Sequence, residues 1–140
     1  YKKGVKSMSN QYIYTLTKHF WISCAHKVTG AGKCARLHGH NYKVTFCITG
    51  SALDEKDMLI DFREVKHHLE KKYDHYVLND FDEFNKIKGG YEPSTERVAQ
   101  VFFEIIESLC NAKRNQPHIK WIEVQETNEA SARYEKLERR

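Results

Sequence analysis

In the stretch GKCARLHGHNYKV, Gly32 to Val44, a cysteine stands four residues ahead of two histidines that flank a single glycine. Alternate side chains of an extended chain leave the same face, so His38 and His40 point the same way, close together. Two neutral imidazoles so placed are half of a metal site. An upstream run ends in His26, and there Tyr12, Tyr14, Leu16, Phe20, Ile22, Cys24 and His26 share one parity. A hairpin joining the two runs would bring His26 to the same place. Three imidazoles with no thiolate completing a tetrahedron describe a catalytic zinc with one open position rather than a structural zinc. H-x-H alone is as readily a polar strand end. The third histidine at a strand terminus, with Gly39 leaving room for close approach, favours the metal.

Three further groups suit chemistry at such a centre. Cys34 lies in the loop that delivers His38 and His40, with Lys33 and Arg36 beside it. As a thiolate it could ligate the metal or act as base or nucleophile. The spacing also lets it sit beside the ion unligated. Its bland alternative, a small buried hydrophobe, suits Cys24, Cys47 and Cys110 better than a cysteine among Gly, Lys and Arg. Asp74 adjoins His75, and a carboxylate next to an imidazole can fix its tautomer for proton transfer, although such pairs also occur by chance on surfaces. Glu126 extends an apolar strand face, where an unpaired carboxylate is costly. Either it reaches water, or a ligand with two parallel N–H groups, such as the edge of a guanine-like ring, satisfies it bidentately.

The elements that must position these groups follow from periodicity. Residues 12–26 and about 38–49 alternate as strands. In MLIDFREVKHHLEKKY the period becomes helical: Asp61 is a fair N-cap, Glu64 completes a capping-box pattern, and Phe62, Val65, Leu69 and Tyr73 form the apolar stripe. Pro93 with Ser94 or Thr95 opens a second helix, whose face is Val98, Phe102, Ile105, Ile106 and Leu109. HIKWIEVQET, 118–127, is a third strand, and residues 130–137 suit a fourth. The order strand, strand, helix, helix, strand, strand implies an α+β domain. Its antiparallel sheet has both helices on one face, and its open edges invite oligomers that pair them.

The 140 residues fit one domain, taken as residues 8–140, with Met8 a candidate natural start and residues 1–7 a cloning remnant. No secretory signal pattern is present, and no apolar run is long enough to span a membrane. Four cysteines without C-x-x-C spacing read as reduced thiols in a cytoplasmic protein. The net charge of +4 is scattered among acidic residues, without the basic stripe and interleaved aromatics that nucleic-acid binding wants.

These residues together resemble the 6-pyruvoyl- and 6-carboxytetrahydropterin synthases, from about Tyr12 to Tyr134. The resemblance rests on I-S-C-A-H at 22–26, C-A-R-L-H-G-H-N-Y at 34–42, D-H-Y-V-L-N-D at 74–80, E-P-S-T-E at 92–96 and Q-E-T at 125–127. Cys24 stands where the family usually has a small residue, a mild departure. The resemblance implies a tunnelling fold, a ββααββ subunit whose trimers close a β-barrel and stack into a homohexamer with active sites between subunits. It implies 7,8-dihydroneopterin triphosphate as substrate and Zn2+ on His26, His38 and His40. It also implies Cys34 as proton acceptor, Asp74 and His75 as relay, Glu126 as the anchor of the pterin ring and Thr127 as an added hydrogen bond. Lys27, Lys33 and Arg36 become candidates for the triphosphate, as do basic side chains of a neighbouring subunit. Three residues between Cys34 and His38, and L-H-G-H in place of N-G-H-G-H, resemble the carboxy branch, which serves queuosine (7-deazapurine) biosynthesis. A subset with glutamate at the cysteine position is disfavoured by Cys34.

Two rivals fit less well. A cupin needs a glutamate four or five residues after the second histidine, where Val44 and Thr45 stand. A non-catalytic binding module stabilised by zinc has no need of Cys34, Asp74-His75 or an apolar-face Glu126.

Overall fold

The computed structural model describes residues 11–137, so the expectations about Met8 and residues 1–7 lie outside the described residues. Strands β1 (Tyr14–His26) and β2 (His38–Gly50) form one long antiparallel hairpin, with His26 directly opposite His38. Helix α1 (Phe62–Tyr73) follows, then the two-residue strand β3 (Tyr76–Val77) and three 3-10 turns. Helix α2 (Thr95–Asn111) leads into β4 (His118–Thr127) and β5 (Ala130–Glu135). The sheet order is β3-β1-β2-β4-β5.

The α+β ββααββ architecture expected from periodicity is present, with one correction. The sheet is mixed, because β3 runs parallel to β1 through Cys24 and Ala25. Two residues carry no readable period, so this strand was invisible in the sequence. It follows a peptide lock in which the His75 amide donates to the Ser23 carbonyl at 2.6 Å.

The strand alternation is physical from Phe20 onward. Phe20, Ile22, Tyr42, Val44, Phe46, Ile48, Ile122 and Val124 bury one face of the sheet against Val65, Leu69 and Tyr73 of α1 and Val98, Phe102 and Ile106 of α2. Each such apolar side chain stabilises by roughly 1.5–3 kcal/mol relative to exposure. Tyr12 and Tyr14, although of the same parity, are exposed beyond the end of this core.

The caps explain where the helices begin. Asp61 accepts from the Arg63 amide at 2.9 Å, and Ser94 accepts from the Arg97 amide at 3.2 Å. Glu64, however, does not close a capping box. Its carboxylate reaches Lys113 beyond α2 at 2.8 and 3.0 Å, a pair that ties the two helices together.

Candidate metal centre

The hairpin register and strand period bring three histidines to one end of the sheet. Ring centroids are 4.6 Å apart for His26–His38, 5.0 Å for His26–His40 and 4.8 Å for His38–His40. One ring nitrogen from each lies within 4.8 Å of the others.

Two of the rings are oriented from behind. His26 Nδ1 donates to the Pro93 carbonyl at 2.7 Å, and His38 Nδ1 donates to the Arg36 carbonyl at 2.6 Å. Each bond fixes the tautomer and turns the Nε2 lone pair towards the shared space, as backbone acceptors do behind metal-ligating histidines. The buried His40 Nε2 has no hydrogen-bond partner. A buried ring nitrogen left without a partner costs free energy, and a metal ion that took its lone pair would satisfy it. The residues therefore fit a metal ion.

Burial holds the His26 imidazole below its ordinary titration range, despite the opposing pull of the Pro93 carbonyl and the Glu126 carboxylate. His40 is held low for the same first reason, with Glu126 again opposing. Neutral rings are what a cation requires of its ligands.

Glu126 stands against this cluster. One carboxylate oxygen lies 3.6 Å from His26 Nε2 and the other 3.7 Å from His40 Nε2. The donor it requires is Thr95 at the start of α2, whose hydroxyl donates to it at 2.8 Å. The register between β4 and β5 slips between Gln125 and Thr127, leaving Glu126 at the irregularity. Such bulges re-aim a side chain next to a site. Thr127, by contrast, accepts from the Glu129 amide at 3.2 Å in the turn to β5.

Cys34 sits in an exposed 3-10 turn (Gly32–Ala35), and it is the one exposed cysteine of the four. Lys27, Lys33 and Arg36 are exposed on the same connection. Asp74 and His75 pair at 2.9 Å, with Asp74 also accepting from the Ser23 amide at 2.9 Å. His75 adopts a left-handed backbone, φ 67°, and projects from the outer edge of β1. Thus the structure brings His26, His38, His40 and Glu126 together. Among the described residues, no hydrogen bond or ion pair joins Cys34 or the Asp74–His75 pair to them. Gly39 is not sterically required within the chain either, since a Cβ there would meet the Cys24 carbonyl at an ordinary 3.6 Å.

The family described as 6-pyruvoyl tetrahydropterin synthase matches residues 15–137. The chain belongs to this family. It is 33% identical over 118 residues to 6-carboxy-5,6,7,8-tetrahydropterin synthase of Bacillus subtilis, covering 83% of this chain and 81% of that one. It is 30% identical over 131 residues to 6-carboxy-5,6,7,8-tetrahydropterin synthase of Synechocystis sp., covering 87% of this chain and 93% of that one. The fold is similar to that of Caenorhabditis elegans 6-pyruvoyl tetrahydropterin synthase, with a TM-score of 0.71 at 23% identity over 90% of this chain and 97% of that one.

In this member of the pterin synthase family, sequence reasoning missed two supports of the site. Thr95 was read only as a helix opener, although its hydroxyl beside Glu96 offered a signal. Tyr42 shares the parity of His38 and His40, and its hydroxyl lies 3.2 and 3.4 Å from the two His26 nitrogens. The Pro93 carbonyl had no side-chain signal at all.

Proposed function

We propose that the protein is a zinc-dependent lyase of the carboxy branch. It converts 7,8-dihydroneopterin triphosphate to 6-carboxy-5,6,7,8-tetrahydropterin with release of acetaldehyde and triphosphate, a step that supplies 7-deazapurine (queuosine) biosynthesis. The observation that carries this reading is the triangle of imidazoles with Glu126 set against it. The curated relatives' names and the three-residue spacing between Cys34 and His38 support the carboxy branch.

His26, His38 and His40 would hold Zn2+, which supplies Lewis acidity to the hydroxyls of the substrate's side chain. Glu126, steadied by Thr95, anchors the amino-pyrimidinone edge of the ring bidentately. Thr127 adds a hydrogen bond to the ring: its hydroxyl oxygen accepts from the Glu129 amide, which leaves the O–H free to donate. Cys34 takes a proton from the side chain as thiolate, and His75, oriented by Asp74, moves a proton on the opposite face. Triphosphate leaves by elimination; water then adds to the ring-side carbonyl carbon of the side chain, and cleavage of the adjacent carbon–carbon bond, with a proton delivered to the departing carbon, releases acetaldehyde and leaves the carboxyl on the reduced ring. Lys27 and Arg36 neutralise the triphosphate from the connection that carries Cys34. Among the described residues neither Cys34 nor the Asp74–His75 pair shares a hydrogen bond or ion pair with the triangle, and the reading places the complete site between subunits of a trimer-based oligomer, with a homohexamer expected.

Incubation with 7,8-dihydroneopterin triphosphate tests the assignment. Acetaldehyde and a 6-carboxy product in equal amounts are expected. A 6-pyruvoyl product without acetaldehyde would assign the pyruvoyl branch instead.

A further inference from the structure

The connection between β1 and β2 carries Cys34 and buries almost nothing: from Thr29 to Leu37 every residue is exposed. Its one partly buried apolar side chain is Val28, so the shape of the rest depends on hydrogen bonds. Inside it, the Val28 amide donates to the Cys34 carbonyl at 2.6 Å, so the position of Cys34 follows that of Val28. The two residues flanking Val28 are each gripped from outside. Asn79 accepts from the Lys27 amide at 2.9 Å and donates to the Lys27 carbonyl at 3.0 Å. Glu92 accepts from the Thr29 amide at 2.6 Å.

Both grips are fixed to rigid structure. Asn79 follows the fully buried Leu78 in a 3-10 turn. Glu92 precedes Pro93, whose carbonyl orients His26, and Ser94, which caps α2. One short segment thus holds both a candidate metal ligand and the cysteine's loop.

We infer that Asn79 and Glu92 are positioning residues, a two-point clamp that sets the place of Cys34 through Val28. The consequence for turnover rests on the reading of Cys34 as the base; the clamp itself does not. Glu92 acts as an acceptor rather than as a charge, and Asn79 acts as donor and acceptor at once. The two side chains therefore answer differently to conservative replacement.

The test uses the full chain loaded with zinc and combines amide hydrogen exchange, metal content and steady-state kinetics. Asn79→Ala and Glu92→Ala should each speed exchange of the Lys27, Val28 and Thr29 amides by about tenfold or more. Each should lower kcat about ten- to a hundredfold while KM and bound zinc stay within about twofold, as expected when a reacting group is misplaced. Glu92→Gln keeps the acceptor and should restore both readouts. Asn79→Asp sets an oxygen against the Lys27 carbonyl and should not. Unchanged exchange in both alanine variants overturns the clamp. Faster exchange at unchanged kcat overturns its role in positioning Cys34. A Cys34→Ala control reports on the base assignment alone: full activity there withdraws that assignment, while the exchange rates still decide the clamp.

Discussion

At the scale of single residues, the proposed function separates holding a metal from moving a proton. Cys34→Ala should keep bound zinc and lose turnover by at least about a hundredfold, and full activity would remove the thiol from the mechanism. His38→Ala should lose both zinc and turnover, as read by metal analysis beside the rate. Thr95→Val leaves the Ser94 cap in place but strips Glu126 of its 2.8 Å donor. It should raise KM about tenfold, the effect of one hydrogen bond to a charged group, with little change in thermal midpoint. His26 and His40 are both held neutral by burial. Above the ordinary histidine value of about 6.5 both folded and unfolded chains carry neutral rings, so no stability difference arises there. Below it the unfolded chain takes up protons that the folded cluster resists. Metal-free protein should therefore lose stability as pH falls from about 6.5 towards the lowered folded values, visible as an earlier urea midpoint at pH 5.5 than at 7.5. The triangle was legible in the sequence because strand period and hairpin parity are local rules. Thr95 is not legible there as part of the site, because its contact with Glu126 spans the gap between α2 and β4.

At the scale of elements, the same division between local and distant information recurs. Asp61 and Ser94 were readable as caps, since capping depends on the next few amides. Ser94→Ala should cost about 1 kcal/mol, measured by denaturant titration. Glu64 misled for the same reason: its spacing fits a capping box, yet Lys113 in another segment offers the closer charge. Strand β3 depends on the His75–Ser23 peptide lock rather than on pattern. Gly90 marks another distant constraint, because a Cβ there would overlap the backbone of Asp82 and Glu83. Gly90→Ala should destabilise by about 2–3 kcal/mol, as no flexible side chain can move aside. An unchanged midpoint would mean that this turn relaxes freely.

At the scale of the whole molecule, one sheet face is covered by α1 and α2, while β1 from Tyr14 to Ser23 and β5 have no strand beyond them among the described residues. Unpaired edges of this length invite pairing with another chain, in line with the oligomer that the proposed function requires. Among the described residues no helix is long and apolar enough to cross a membrane. The fold could be read from order and periodicity, whereas the placement of Cys34 and His75 relative to the triangle could not, because each lies in a turn with no period that relates it to the hairpin end. The account stands or falls on the ion itself. X-ray absorption at the zinc edge of the assembled protein should show three imidazole nitrogens at about 2.0–2.1 Å with oxygen completing the shell, and the same spectrum in Cys34→Ala. A sulfur neighbour at about 2.3 Å that vanishes in that variant would contradict it.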